Sequence, residues 1–530
     1  MVWRQYVAAL VLVTALAFAG PAAAQKSGGI LKVQHWDSPA SMSILEEATY
    51  SVVVPAMEVM NNLVVYDQHV AQNSLSDIQP DLAESWSWSD DGKDLTFKLR
   101  QGVKWHDGKP FTAADVKCTF DLLQGKGEAK LRANPRKEWW ANVDSVTTDG
   151  DFAAVLHLKR PQPALLTLLA SGYSPIYPCH VPPAQMRTHP IGTGPFKFVE
   201  YKPNEYIKLA KNPDYWKPGR PYLDGIEYDI VPNRSTAILG LVAGQFDMTW
   251  PYYVTPPLVR DIAKQAPNVK CIRATNNGTT NLIINRDAPP FDNPEMRKAL
   301  MLTLDRKSFI DIMTEGEGKI GGAMLPPPEG LWGMPEEMLR TVPGYDPDVK
   351  KNREQARAIM QKLGYSPDKK LELKVSTRNV PTFRDPAVIL IDQLKEIYID
   401  ATLDTVETAN WFPKIYRKDF SIGLNNTGSG VDDPDQQFFE NYACGSLRNY
   451  GAYCNPALDK KFEEQSMMKD QDARKKLVWE IDRQLQEDGA RPIIFHAVNA
   501  TCMQPAVKGL TIMVNSIYNG WRMEDVWLDR

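Results

Sequence analysis

A strand–turn–strand–helix pattern constrains the fold more than any other feature of the chain. Apolar residues alternate with polar ones at 86–88 and again at 95–99, as in half-buried strands. Residues 90–93 supply the turn between them. Thr112 then precedes a helical pattern, with Asp115 three residues later in the capping-box position. The sequence therefore predicts a hairpin followed by a capped helix.

The N-terminus has the pattern of a secretory signal. Arg4 precedes an apolar run at residues 7–18, and small residues at 22–24 form a cleavage site before Gln25. A transmembrane anchor is the alternative, but the run is too short to span a bilayer comfortably. No cysteine lies near the cleavage site. We therefore predict that residues 1–24 are a signal peptide and that the mature chain is a soluble periplasmic protein.

Charge and length limit the classes of function. With 61 Lys and Arg against 65 Asp and Glu, the net charge is −4 over 530 residues, which does not favour a nucleic acid or an anionic membrane as partner. The length predicts about three domains. A hydrophobic content of 43% is sufficient for large cores, so we expect a mixed α/β protein with many loops.

The six cysteines all lie in the predicted mature chain, where an oxidising compartment permits disulfides. Cys444 and Cys454 are close in sequence, and we predict that they form a disulfide. The pairing of the other four stays open, because sequence does not fix connectivity. No Cys-x-x-Cys pair is present, so a zinc or thioredoxin-like site has little support. We expect neither a metal site nor a cofactor. The four with open pairing are Cys118, Cys179, Cys271 and Cys502.

Catalytic motifs are weak in this sequence. The Gly-Thr-Gly at 192–194 precedes a strand instead of a helix and lacks the Gly-Lys-Ser/Thr of a phosphate loop. His106 fits a turn beside the hairpin, and no His-Glu-x-x-His motif occurs. The Gly-Ser-Gly at 428–430 lacks the spacing of a nucleophile elbow. We therefore predict a binding protein and no enzyme; an exported hydrolase assembled from distant residues is the alternative.

Several fragments, taken in order, resemble the family of extracellular solute-binding proteins that deliver peptides and nickel chelates to ABC importers. These are residues 81–120, 191–196, 212–216 and 296–306. Each fragment is weak alone, but their order and spacing are specific. Residues 433–454, with Asp-Pro-Asp and two cysteines, resemble the dipeptide-binding branch of the family.

The resemblance implies a two-lobe α/β periplasmic binding protein, of the Venus-flytrap type II-like class, with an extra subdomain on the first lobe. By that analogy lobe I comprises residues 25–66, 191–274 and 497–530, its subdomain residues 67–190, and lobe II residues 275–496.

The function implied by the resemblance is the capture of a small solute between the lobes and its delivery to the permease subunits of an ABC importer. A peptide is the default ligand, and an opine, a nickel chelate or another carboxylated metabolite is the alternative. The expected partners are this ligand and the permease, with no nucleic acid, and a monomer is expected.

Family analogy also nominates ligand contacts. In dipeptide-binding relatives an arginine after a strand of lobe II meets the ligand carboxylate, and Arg378 stands at the matching place; a solvent-exposed loop arginine is the alternative. A guanidinium can hold a carboxylate with two parallel hydrogen bonds. The relatives' amine-binding aspartate is replaced here by Gly430, with Asp432 and Asp433 as the nearest acids. This departure puts recognition of a free amine in doubt.

Position alone suggests the remaining ligand contacts. Polar side chains after strand ends meet ligands in α/β sheets, and aromatic residues near a crossing between lobes can line a cleft. The alternative at each position is ordinary packing or a turn. These candidates are His35, Trp36, Asp37, Trp250, Tyr252, Asn276, Asn277, Trp411, Asn425 and Asn426.

If Arg378 anchors an acidic group, Arg378→Ala weakens a carboxylate ligand by a few kcal/mol, the order expected when a buried charge pair loses one partner. Isothermal titration calorimetry measures the change in affinity. An unchanged dissociation constant would remove Arg378 from the ligand site.

Overall fold

A computed structural model gives the positions of residues 25–515 and 519–530, without the side chain of Asn276. The predicted signal peptide, residues 1–24, lies outside the described residues. The strands are β1 (Ile30–His35), β2 (Val64–Tyr66), β3 (Ile78–Pro80), β4 (Ala83–Trp88), β5 (Asp94–Leu99), β6 (Val143–Thr148), β7 (Ala153–Leu158), β8 (Phe196–Lys202), β9 (Tyr206–Lys211), β10 (Gly225–Ile230), β11 (Lys270–Ile284), β12 (Leu371–Arg378), β13 (Ile399–Val406), β14 (Ile422–Gly428), β15 (Ile493–Met503), β16 (Val507–Lys508) and β17 (Trp527–Leu528).

Helices connect and cover these strands, and short 3-10 turns lie at Leu75–Asp77, Lys137–Trp140 and Lys395–Ile397. The α-helices are α1 (Val53–Val59), α2 (Ala113–Gln124), α3 (Leu165–Ala170), α4 (Pro183–Met186), α5 (Arg234–Val242), α6 (Pro256–Gln265), α7 (Pro294–Thr303), α8 (Arg306–Thr314), α9 (Glu336–Leu339), α10 (Val349–Lys362), α11 (Pro381–Leu394), α12 (Thr408–Tyr416), α13 (Pro434–Asn441), α14 (Pro456–Met467) and α15 (Gln471–Glu487).

Two main sheets form the cores of two lobes. In lobe I the order is β1-β10-β9-β8, with β1 parallel to β10 and the other pairs antiparallel. In lobe II the order is β13-β12-β14-β11-β15, with β12 parallel to both β13 and β14. The structure is thus a two-lobe α/β protein, as the resemblance implies. The residue bounds assigned above to the lobes stay a prediction.

A third sheet, of order β4-β5-β7-β6, is antiparallel throughout and contains the hairpin predicted from the sequence. Trp86 pairs with Phe97 across β4 and β5. The capping box that begins α2 is also confirmed: the Thr112 side chain accepts from the N–H of Asp115, whose carboxylate accepts the N–H of Thr112 at 3.0 Å. Gly125, with φ +69°, ends α2 in the left-handed conformation.

The connection between the lobes runs along β11 and β15, which pair antiparallel. Lys270 to Thr275 pair with residues of β15 beside lobe I, and the register shifts between Thr275 and Thr279 before pairing resumes in the lobe II sheet. A break in the ladder bends strands locally. This pair of strands is therefore where the two lobes can change their relative angle.

Disulfides join all six cysteines. The predicted Cys444–Cys454 bond is present and closes a short loop with a sequence separation of 10. Cys271–Cys502 crosses from β11 to β15, and Cys118–Cys179 ties α2 to the connector before α4. Within the described residues, no helix combines the length and the apolar character needed to cross a membrane.

The disulfide at the interlobe strands is expected to contribute most to stability. Cys271–Cys502 closes a separation of 231 residues against 10 for Cys444–Cys454, and in the chain-entropy account longer loops give larger effects. We expect C271A/C502A to lower the free energy of unfolding by about 2–3 kcal/mol more than C444A/C454A. Urea denaturation of the two double variants measures both losses, and equal losses would contradict this expectation.

Candidate functional site

The two lobes face each other across a small aromatic cavity of about 50 Å³. That volume holds only a few water molecules, so the lobes are closed on each other. Side chains after β1, on and after α5, on α8 and α11, and on β11, β14 and β15 form its walls. The main lining residues are Trp36, Tyr50, Arg234, Trp250, Tyr252, Tyr253, Thr280, Met313, Thr382, Pro386, Asn426 and Phe495.

A buried ion pair joins the lobes next to this cavity. Asp37 follows β1 of lobe I, and Arg378 is the last residue of β12 in lobe II. Arg378 Nη2 donates to Asp37 Oδ2, and Thr408 Oγ1 donates to the same oxygen at 2.8 Å. Arg378 Nε in turn donates to Thr408 Oγ1 at 3.0 Å. The side chains of Arg378 and Asp37 are only 4% and 9% exposed.

Burial and charge act in opposite directions on this pair. Burial raises the pKa of Asp37 above its ordinary value, while the Arg378 charge and the Thr408 hydroxyl lower it. The Arg378 guanidinium also lies over two aromatic rings, 5.0 Å from the centroid of Trp36 and 4.5 Å from that of Phe383. The arginine predicted to meet a ligand carboxylate is therefore occupied by a carboxylate of the protein itself.

Four other predicted residues line the cavity. Trp36 stacks on Tyr50 with 4.6 Å between ring centroids. Trp250, Tyr252 and Asn426 also contribute to the walls. The structure thus brings these four together with the Asp37–Arg378 pair, from both lobes. Their contact with a ligand stays a prediction.

The predicted His35 lies behind the cavity wall. Its ring packs between Tyr228 and Trp250, with centroid distances of 5.8 Å and 4.2 Å. His35 Nε2 donates to the carbonyl oxygen of Ser51 at 2.8 Å, and burial lowers the pKa of His35 to about 4. A neutral imidazole at this position supports the loop that carries Asp37.

Three more predicted residues have structural partners away from the cavity walls. Asn277 donates to the carbonyl oxygen of Val431 at 3.2 Å. Asn425 donates to Thr427 Oγ1 at 3.2 Å. Trp411 is fully buried in a small cluster of lobe II. The side chain of Asn276 lies outside the described residues.

The last two predicted residues, Asp432 and Asp433, border a larger groove of about 590 Å³ between the subdomain and lobe II. Asp432 accepts the N–H of Leu331 at 2.9 Å, and burial raises the pKa of Asp432 to about 7. Asp433 caps α13 and accepts two hydrogen bonds from Arg474, at 2.8 and 2.9 Å. Asp433 therefore has a structural role in positioning α13.

Sequence reasoning missed a buried cluster between the subdomain and lobe II. Arg136 and Tyr173 come from the subdomain, and Arg448 and Glu440 from lobe II. The Arg136 guanidinium lies 3.3 Å from the ring centroid of Tyr173, and Arg448 Nη1 lies 2.7 Å from Glu440 Oε1. These residues come from separate segments, and no local pattern connects them. Among the described residues, no three His, Cys, Asp or Glu side chains are grouped to hold a metal ion.

The two-lobe fold with a cavity walled by both lobes defines the class of solute-binding proteins. The model of the family "Bacterial extracellular solute-binding proteins, family 5 Middle" matches residues 77–449. The chain therefore belongs to the family 5 extracellular solute-binding proteins.

Individual relatives share the fold but differ in what their names say they bind. The chain is 25% identical to the "Probable di/tripeptide-binding protein 5" of Pseudomonas aeruginosa, over 94% of this chain and 95% of the relative. The Helicobacter pylori protein DppA in complex with peptide STSA matches with a TM-score of 0.82 at 22% identity, over 95% of this chain and 99% of that one. AgaA of A. tumefaciens R10 with agropinic acid matches with a TM-score of 0.80 at 24% identity, over 95% and 99%.

The interlobe pair gives a direct prediction for the ligand-free protein. Asp37→Asn leaves the Arg378 charge buried without its carboxylate, which costs about 3–5 kcal/mol in the closed form. We expect the lobes to open more often, so that amides around Arg378 and Thr408 exchange hydrogen faster. Hydrogen–deuterium exchange with mass spectrometry measures this.

The matched control is Asp121→Asn, which breaks a partly exposed pair with Lys117 inside α2, a helix outside the cavity wall, and should leave exchange at the cavity unchanged. Equal protection of the cavity segments in Asp37→Asn and the wild type would show that the pair does not hold the lobes together.

Proposed function

We propose that this chain is the solute-binding component of an ABC importer, and that it captures a peptide between its lobes and releases it unchanged to the permease. The observation that carries the proposal is the cavity whose walls come from both lobes, beside the Asp37–Arg378 pair. The names of the relatives support a peptide and a periplasmic location.

The mechanism is an equilibrium between open and closed lobes. The closed cavity of about 50 Å³ is too small for a peptide, so the ligand enters when the lobes separate. Contacts that a ligand makes with both lobes exist only after closure, and they shift the population toward the closed form. The lobes also touch each other directly in the closed form, since Arg234 of lobe I donates to Thr382 of lobe II at 3.1 Å.

The walls suit a short peptide. Trp36, Tyr50 and Trp250 offer apolar faces for side chains, while Asn426 and Thr280 offer polar groups for a peptide backbone. A buried peptide amide requires such partners, because an unpaired polar group costs about 1–3 kcal/mol.

A second candidate is an opine or another carboxylated metabolite. The observation that favours it is Gly430, which stands where dipeptide-binding relatives place an aspartate for the ligand amine. A ligand without a free amine does not need that carboxylate.

Ligand-raised stability without turnover tests the proposal. We expect a di- and tripeptide library to contain ligands that raise the melting temperature. At a concentration of 100 Kd, such a ligand increases the free energy of unfolding by about 2.7 kcal/mol. Mass spectrometry of the same samples should recover each peptide intact. A panel of opines run in parallel tests the second candidate. Cleavage of the peptides, or no binding by either panel, would contradict solute capture.

A further inference from the structure

Two buried guanidinium groups lie side by side at the junction of all three parts of the molecule. Arg136 Nη1 donates to the carbonyl oxygen of Glu47 at 2.9 Å, and Arg448 Nη1 donates to that of Ala48 at 3.1 Å. Because these are consecutive carbonyls, an arginine of the subdomain and one of lobe II meet at the same short stretch of lobe I. Both arginines are at most 4% exposed.

The cluster carries more positive than negative charge. Arg491 joins it by donating to the carbonyl oxygen of Arg448 at 2.6 Å, and its other partners are the neutral Thr427 and Asn441. Glu440 faces Arg448 as the carboxylate of the cluster. Three arginines thus share one carboxylate.

The neighbouring carboxylates of Glu46 and Glu47 do not supply the negative charge that the arginine cluster lacks. The side chain of Glu46 accepts two hydrogen bonds from Arg187, and that of Glu47 accepts from Ser41 and from Arg132. Burial lowers the pKa of both Arg136 and Arg491, as expected for cations held away from water.

The same cluster has hydrogen-bond donors in excess. Within the described residues, Arg136 Nε and Nη2, Arg448 Nε and the hydroxyls of Tyr173 and Tyr450 are buried without a hydrogen-bond partner, against one acceptor of the cluster in the same condition, Glu440 Oε1. Buried polar atoms in native proteins nearly always have partners. A group rich in acceptor oxygens and bearing negative charge would satisfy both deficits at once.

We propose that the cluster of Arg136, Tyr173, Arg448 and Tyr450 binds a carboxylate of the captured solute. A carboxylate offers two oxygens with about four acceptor sites and pairs with guanidinium groups in a planar geometry. The inference rests on the proposed function, because a solute reaches this junction only when the lobes open. It selects acidic solutes as the preferred ligand class.

The proposed carboxylate site does not include Arg378, the arginine that the family resemblance nominates. The charge of Arg378 is already matched by Asp37 in the closed form, whereas Arg136 shares the one carboxylate of the cluster, Glu440, with Arg448 and Arg491. Arg448 and Tyr450 lie in the loop closed by the Cys444–Cys454 disulfide, which restrains their positions. The proposed donors thus come from a disulfide-closed loop of lobe II and from the subdomain.

The test compares Arg136→Gln with Arg306→Gln. Arg306 is a matched control, because it is also buried, donates to two backbone carbonyls and stacks on a tyrosine, 3.7 Å from the Tyr345 centroid. The probes are Ala-Ala-Glu, Ala-Ala-Gln, Ala-Ala-Gln amide and glutarate. Calorimetry gives the affinities, and circular dichroism of each variant checks folding.

We expect the wild type to bind the acidic probes most tightly and Arg136→Gln to weaken them about 10- to 100-fold, as for a charge-assisted hydrogen bond, while Arg306→Gln does not. If the wild type binds Ala-Ala-Gln more weakly than Ala-Ala-Glu, the site holds a side-chain carboxylate. If it binds Ala-Ala-Gln amide more weakly than Ala-Ala-Gln, the site holds the C-terminal carboxylate.

The two proposals fail differently. Tight peptide binding that Arg136→Gln leaves unchanged would overturn the carboxylate site and leave peptide capture standing. Binding of glutarate alone, lost in Arg136→Gln, would support the carboxylate site and refute a peptide ligand. No binding of any acidic probe by the folded wild type would overturn the carboxylate site as well.

Discussion

The buried pair of Asp37 and Arg378 is the interaction on which the closed form depends. Each partner belongs to a different lobe, so the pair exists only while the lobes touch. Taking two charges out of water costs several kcal/mol per ion, and their attraction repays this only with good geometry and further hydrogen bonds. Thr408 and Ser51 supply those bonds to Asp37. The cost of burying the two charges and the gain from their pairing are therefore close in size, and a bound solute can shift the equilibrium between open and closed lobes.

Local features of the fold could be predicted from the sequence. The hairpin at β4 and β5 and the capping box of Thr112 and Asp115 both depend on residues close in the chain. The Cys444–Cys454 disulfide is local in the same sense. The order of strands in lobe II depends on contacts between distant segments, and only the family resemblance indicated a second lobe.

The candidate site was predicted less completely, for the same physical reason. Aromatic residues near the interlobe crossing, such as Trp250, were expected at the cavity, and the structure places them in its walls. Asp37 and Arg378 were each named, but their mutual pairing across 341 residues was not. Arg136 was not predicted, because folding brings it next to Arg448 from a distant segment and no local pattern marks it.

Opening and closing of the lobes is the central claim, and an interlobe distance measures it most directly. Leu239 on α5 and Val388 on α11 are exposed on opposite lobes, 60% and 55% respectively, and the native cysteines are all in disulfides. Spin labels at Leu239→Cys and Val388→Cys report the distance by pulsed electron paramagnetic resonance. The account predicts a broad, longer distribution without solute that narrows and shortens on binding. A distance distribution that is the same with and without bound solute would contradict it.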